Sequence, residues 1–311
     1  MKPKVLFMLQ SDWFDLGRET FGSPHYDVLF AGRDEFKPED VDYFVGFRPP
    51  PGYLKSLPNL KLVISLGAGV DGFMADPEFP RNIPLVRFTD ASLAYEMAQY
   101  VTMHVLMIHR HQREFDAAQA EHRWHRFMLP RATAATRIGI VGLGEIGGKI
   151  AERLALFGFK VSGWSRSLKI FPGVKSYAGD TGLKEFLGQS DMVACVLPRT
   201  PQTENFMDAK FFAALPQGAW VINVARGSLL VEADLIAALD SGHLGGAVLD
   251  VFRTEPLPPD SPLWAHPKII VTPHVAGITD PRMALFYVEE TVLKNEAGVP
   301  LTDIVDMDRG Y

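Results

Sequence analysis

Short apolar runs bounded by turn residues recur along the whole chain. KVLFML, YDVLFAG, DYFVGF and KLVISL lie in the first third, and TRIGIVG, KVSGW, DMVACVL, AWVINVA, GAVLDVF and KIIVTP follow. They read as buried strands of parallel sheets, where both faces are covered and near-continuous apolar sequence results. Helical periodicity separates them, as in GGKIAERLALFG and EADLIAALDSG, the second closing on Ser241 and Gly242 as a helix end does. Strand alternating with helix predicts a doubly wound α/β architecture.

Between the two strand sets a longer helical pattern starts near Ser92, with Met97, Val101, Val105 and Ile108 at steps of three and four. It is expected to cross between two domains. The tract REFDAAQAEHRWHRF and the polar RATAAT lead into the second set, and a last helix from Pro281 to Glu296 is expected to return to the first domain. The expected domains are residues 1–97 with 283–311, and residues 98–282. A chain of 311 residues, 47% of them hydrophobic, is long enough for two such cores at about 150 residues each.

Charge narrows the partners. Asp and Glu number 37 against 31 Lys and Arg, a formal net charge of −6, so no chain-wide positive field exists for nucleic acid or anionic lipid. Any anion site must be local. The run Val5 to Leu9 is too short for a signal-peptide core or a membrane span, and a cytoplasmic protein is expected. The single cysteine, Cys195, allows no intrachain disulfide and reads as a buried small hydrophobe in MVACVLP.

The strongest local anion signal is Gly142-Leu143-Gly144-Glu145-Ile146-Gly147, placed between a strand and a helix. Gly142 permits the tight turn, Gly144 lets backbone approach a pyrophosphate, and Gly147 lets helix and strand pack closely. About twenty residues on, KVSGWSRSLK ends a strand with Ser165 and Arg166, where NAD-preferring units carry Asp or Glu. Ser165 and Ser167 as donors, Arg166 as a charge partner and Lys169 beside them suit the 2′-phosphate of NADPH. The bland alternative is a solvated surface arginine.

Arg226, Glu255 and His274 each follow the carboxyl end of a predicted strand, the edge where ligands bind in an open parallel sheet. A guanidinium grips a carboxylate through two parallel hydrogen bonds and would orient a 2-oxo acid. An imidazolium can protonate the ketone oxygen as hydride arrives, with the glutamate holding its ring. Taken singly, the three read equally well as a cap, a loop carboxylate and a loop histidine. His104, His109 and His111 lie in the long helical segment and His122 and His125 are three apart, but no complete ligand set surrounds them and no metal is expected.

NVARG, LDVFRTEPLP and TPHVAG, with GLGEIG ahead of them, resemble the D-isomer-specific 2-hydroxyacid dehydrogenases over nearly the whole chain. SLGAGVD, the tryptophan of GWSRS, DSPLWAHP and the terminal DRGY resemble the glyoxylate/hydroxypyruvate reductase A branch of that family. The resemblance implies a flavodoxin-like substrate domain and a Rossmann dinucleotide-binding domain. It implies the roles given above for Arg226, Glu255 and His274, and places Asp250 at the nicotinamide carboxamide. It also implies that Leu197, Pro198, Val224 and Ala225 lie along the cofactor, and that Leu66, Gly67, Ala68 and Gly69 meet the substrate, their N–H groups forming a nest for its carboxylate. The implied reaction is NADPH-dependent reduction of glyoxylate to glycolate and of hydroxypyruvate to D-glycerate, by a homodimer with Trp124 at a subunit contact.

FRPP departs from similar reductases, which put other residues at Phe47 and Arg48. Arg48 is either a second anion contact or a surface arginine before a proline pair. Two alternatives stay open: a bulkier 2-oxo acid such as phenylpyruvate, and a dinucleotide-sensing corepressor on the same fold, for which binding matters more than turnover.

Overall fold

Each apolar run named above contains a strand in the computed structural model, which describes residues 2–9, 11–89, 91–127 and 131–307; the terminal DRGY lies outside them. Two compact units result, one of Met1–Asp90 with Thr279–Tyr311 and one of Ala91–Ile278.

The first unit carries β1 (Lys4–Met8), β2 (Asp27–Phe30), β3 (Tyr43–Gly46), β4 (Leu62–Ser65) and β5 (Leu85–Arg87) in the order β2-β1-β3-β4-β5. All pairs are parallel, which is the flavodoxin-like order. β5, three residues long, is absent from the predicted set. The crossovers are loops and 3-10 turns at Ser11–Leu16, Arg18–Phe21, Pro38–Asp40 and Leu54–Ser56, with a short α1 (Asp71–Met74). Prolines and glycines in KPEDVD and RPPPGYLKSLPN leave no room there for a longer helix.

In the second unit α2 (Ala91–His109) and α3 (Gln112–Ala120) precede β6 (Arg137–Val141) and α4 (Glu145–Leu156). Then come β7 (Lys160–Ser165), β8 (Val174–Ala178), α5 (Gly179–Gly188), β9 (Met192–Cys195), α6 (Ala209–Ala213), β10 (Ala219–Asn223), α7 (Glu232–Asp240), β11 (Leu244–Leu249) and β12 (Ile269–Val271). The sheet order is β12-β11-β10-β9-β6-β7-β8, all parallel. Counted from β6 this is the dinucleotide-binding order 3-2-1-4-5-6 with one strand added beyond, and it reverses at β6, which pairs with both β7 and β9. α2 belongs wholly to this unit because Ala98, Val101 and Val105 share a core with Ile150, Ala151 and Leu154 of α4.

The amino ends of β6 and β9 are tied by charge. Asp191 accepts from Arg137 through Nε at 3.1 Å, Nη2 at 2.6 Å and the backbone N–H at 2.9 Å, and it pairs with Arg131. Burial alone would raise the Asp191 carboxyl, but the two arginines and that N–H hold it below the ordinary carboxylate range. Cys195 is fully buried and its thiol is pushed up to about 12 by desolvation, so it packs as a hydrophobe.

α8 (Pro281–Glu296) closes the chain onto the first unit, where Ala284, Leu285, Val288 and Val292 join Val5, Phe7 and Ile64. Asp280 caps it by accepting from Arg282 N at 2.8 Å, with Pro281 at the first helical position. Among the described residues no helix is long and apolar enough to cross a membrane.

Candidate active site

The glycine turn stands at the reversal of the second sheet, and its three glycines answer to different constraints. Gly142 has φ +106°, open only to glycine, and donates to Trp164 O at 2.8 Å. A Cβ on Gly147 would fall 1.8 Å from Gly142 O, so α4 can approach β6 only without one. Gly144 has φ −85°, and a Cβ there would meet no protein atom within 4 Å. Neither backbone nor packing requires glycine at this position, so the open space is what a ligand approaching the backbone would fill. No side chain caps α4 at Gly144, which leaves its first N–H groups to an anion. Leu143 is buried against Gly163, whereas Glu145 is exposed and Ile146 half-buried. These residues fit the pyrophosphate of a dinucleotide.

At the carboxyl end of β7 the loop is held locally. Ser165, 8% exposed, turns its hydroxyl inward to Ser167 O at 2.7 Å, and Lys169 N donates to Ser176 Oγ at 3.1 Å. The Ser165 hydroxyl hydrogen, expected to reach a phosphate, is therefore committed to its own turn. Arg166, Ser167 and Lys169 are exposed beside it.

Across the reversal, β9 leads to half-buried Leu197 and exposed Pro198, and β10 to buried Val224 and Ala225. Asn223 ends β10 fully buried and latches the next turn, donating to Arg226 O at 3.1 Å while accepting from Ala225 N at 3.1 Å. Its signal in the sequence is a polar residue closing the apolar AWVIN. Gly227 lies so close to the next strand end that a Cβ would stand 1.8 Å from the Phe252 carbonyl carbon. Between these two fixed points Arg226 is half-buried, its Nη1 donating to Ala225 O at 2.7 Å.

Glu255 is clamped at both oxygens. Oε1 accepts from Phe252 N at 2.9 Å and Oε2 meets His274 Nδ1 at 2.8 Å. Burial opposes the charged form, but the His274 hydrogen bond, the Phe252 N–H and the charges of His274 and Arg226 outweigh it, so the carboxyl lies below its ordinary value. With Nδ1 given to Glu255, His274 has Nε2 left for a substrate.

Asp250 ties the His274 loop to the end of β11. Its side chain is fully buried, with Oδ1 accepting from Thr272 Oγ1 at 2.6 Å and Val275 N at 2.9 Å, and Oδ2 from Ala276 N at 2.8 Å. Its backbone oxygen accepts His274 N at 2.8 Å. The carboxylate is enclosed by the His274 loop and shapes it.

In the first unit the turn after β4 departs from the expected nest of four. Leu66 is fully buried and its N–H continues the ladder to Gly46 O at 3.0 Å, because it is the last rung beside β3. Gly67 N points to Ser65 Oγ at 3.4 Å. Among the described residues only Ala68 N and Gly69 N in this turn meet no protein acceptor. Arg48, its side chain 74% exposed, sits 3.7 Å from Asp71 at the start of α1, which offsets part of its charge. His104 and His109 are buried, and among the described residues no group of three or more His, Cys, Asp or Glu is placed to hold a metal.

The second unit joins a glycine turn at the sheet reversal with the Glu255–His274 pair past neighbouring strand ends, an arrangement suited to an NAD(P)-dependent oxidoreductase. The chain belongs to the D-isomer specific 2-hydroxyacid dehydrogenase family, whose NAD binding domain matches residues 102–276. It is 42% identical over 277 residues to glyoxylate/hydroxypyruvate reductase A of Salmonella heidelberg strain SL476, covering 87% of this chain and 88% of that one. Among solved structures, the NADPH-dependent glyoxylate/hydroxypyruvate reductase of Sinorhizobium meliloti in complex with NADP and sulfate is 38% identical over the full length of both chains, with a TM-score of 0.93. A D-isomer specific 2-hydroxyacid dehydrogenase of Xanthobacter autotrophicus Py2 in complex with NADPH and MES is 42% identical over both full lengths, with a TM-score of 0.89.

The different constraints on the glycines are testable. Gly144→Val should leave the thermal midpoint within about 2 °C while weakening dinucleotide binding at least ~10-fold, because its side chain occupies only ligand space. Gly147→Val should instead destabilise the unit by at least ~1–3 kcal/mol through overpacking. Melting curves with a fluorescence titration separate the two, and normal affinity in Gly144→Val would remove this turn from the binding site.

Proposed function

We propose that this protein reduces small 2-oxo acids with NADPH, glyoxylate to glycolate and hydroxypyruvate to D-glycerate. The observation that carries the proposal is the Glu255–His274 pair, 2.8 Å apart, with the charge of Arg226 acting on it. The names of the relatives agree with this choice of acid. When bound along Gly142–Gly147, Leu197, Pro198, Val224 and Ala225, the cofactor supplies the hydride. Arg226 pairs with the substrate carboxylate and turns the ketone carbon toward that hydride. His274 gives its Nε2 proton to the ketone oxygen, and Glu255 keeps the ring oriented through Nδ1. Hydride on carbon and proton on oxygen together make the 2-hydroxy acid. A cytoplasmic location is part of this reading.

His274→Ala should keep NADPH affinity and lose at least ~10² in kcat, the lower range for a positioned acid-base group. Arg226→Lys should lose catalytic efficiency too, since an ammonium cannot match a carboxylate with two parallel donors. Steady-state kinetics over a panel of 2-oxo acids with NADPH and NADH tests both variants. Near-normal turnover by His274→Ala would sink the proton-donor role, and a wild type preferring a bulky acid would overturn the substrate.

Preference for NADPH is assigned to Arg166, with Ser167 and Lys169 beside it, because no carboxylate stands at the end of β7 to repel a 2′-phosphate. Arg166→Ala is expected to weaken NADPH roughly ten- to hundredfold, the equivalent of ~1.5–3 kcal/mol, and NADH far less. Paired cofactor titrations decide it: equal loss for both cofactors would refute the assignment.

We also infer a homodimer built on the arm after α3. Trp124 is 95% exposed there, beside a groove of about 590 Å³ lined by Phe115, Ala118, His122, His125 and Phe127. A large aromatic held in water next to an apolar groove favours a second copy. Sedimentation should give twice the chain mass for the wild type and the single-chain mass for Trp124→Glu; a monomeric wild type would contradict it.

A further inference from the structure

We infer that Tyr100 of α2 is a positioning residue for the proton donor, the outer end of a hydrogen-bond relay through Thr272 and Asp250 to the loop that carries His274. The inference rests on the role proposed above for His274, and the relay itself is visible independently of that role.

The direction of each bond follows from the donors available. Thr272 Oγ1 has one hydrogen and gives it to the Asp250 carboxylate at 2.6 Å. Tyr100 OH, 2.5 Å from the same Thr272 oxygen, must then be the donor to it. Donors thus point inward in sequence, tyrosine to threonine to carboxylate, an arrangement in which each bond polarises the next. Burial and the nearby Asp250 charge push the Tyr100 hydroxyl up to about 12, with the Thr272 contact opposing, so the donor keeps its proton at neutral pH.

The neighbour on the same helix face does not compete. His104, one turn along α2, packs its ring 4.5 Å from that of Tyr100 and is 3% exposed. Neither of its ring nitrogens has a hydrogen-bond partner among the described residues, and burial lowers its pKa against the raising effect of Asp250. It is therefore a neutral wall behind the tyrosine.

The inner end of the relay meets a backbone that needs holding. His274 has φ +57°, a left-handed conformation that a β-carbon disfavours. Its N–H donates to Asp250 O at 2.8 Å and Thr272 O at 3.2 Å, and the next two N–H groups end on the two Asp250 carboxylate oxygens. Rotation of that carboxylate would release Val275 and Ala276 together. Thr272, fixed by Tyr100, is the side chain that resists the rotation.

The test uses the whole chain with NADPH and glyoxylate, together with amide hydrogen exchange. Tyr100→Phe keeps the ring and removes the donor. It should lower kcat about tenfold with KM and NADPH affinity within twofold, and speed exchange at Val275 and Ala276 about tenfold. Thr272→Val should do the same, Thr272→Ser should restore wild-type values, and the double variant Tyr100→Phe/Thr272→Val should be no slower than Thr272→Val alone. Losses that multiply in the double variant, or unchanged exchange and kcat in Tyr100→Phe, overturn the relay. If exchange at Val275 and Ala276 responds as expected but the wild type reduces no 2-oxo acid, the relay stands and the reading of the reaction falls. Should Tyr100→Phe not fold, the contrast between Thr272→Val and Thr272→Ser carries the same decision.

Discussion

A carboxylate withdrawn from water is costly unless donors replace its hydration, and the donors to the Asp250 carboxylate, one hydroxyl and two backbone N–H groups, come from the segment 272–276. That requirement orders the catalytic edge of the second unit. Asp250 sits just past β11, its own N–H bound to Asn223 O of β10 at 3.1 Å and its carbonyl to His274 N past β12. Three strand ends are thereby joined through one residue. Asn223 in turn fixes the backbone of Arg226, and Gly227 presses on Phe252, whose N–H holds Glu255. Arg226, Glu255 and His274 are far apart in sequence but belong to one hydrogen-bonded set of strand ends.

Rigid support and accessible chemistry are divided between different residues. Asp250 and Asn223 are fully buried, whereas the His274 side chain is 45% exposed. The proposed proton donor must reach substrate, and the contacts of His274 are few: Nδ1 to Glu255 and the backbone N–H inward. The cost of its left-handed backbone is offset by Asp250 and Thr272, which a loop free in solvent could not provide. Glu255, with Oε1 already taken, can offer His274 only Oε2, and this fixes the ring's orientation.

The sequence reports some of this organisation and not the rest, for physical reasons. Runs such as MVACVL and AWVINVA are buried on both faces and so reveal themselves by apolarity alone. β8 is an edge strand with only Tyr177 buried, and β5 is three residues long, so neither leaves an apolar run to find. That Arg226, Glu255 and His274 stand past strand ends was legible because the strands before them are apolar runs. Leu66 resisted the same logic: whether an N–H faces a ligand or continues a ladder depends on the neighbouring strand's register, and Gly46 claims it. Asp250, Thr272 and Tyr100 meet across long sequence separations, which no local spacing encodes.

The glycine turn shows how little a motif match alone decides. Gly142 and Gly147 would be needed by any chain making this strand-to-helix junction, with or without a ligand, since one supplies a positive φ and the other a close approach. Gly144 is different, because the protein itself leaves its missing side chain unfilled. Of the three, Gly144 is thus the glycine that folding does not require, and the one on which the proposed binding role rests. The same logic applies at the end of β7. Ser165 is buried and spends its hydroxyl on Ser167 O, which makes it part of the fold, while Arg166 lies exposed past the strand and is not required by the core. Under the proposed assignment, selectivity between two dinucleotides that differ by one phosphate resides in residues that can change without disturbing the sheet that presents them.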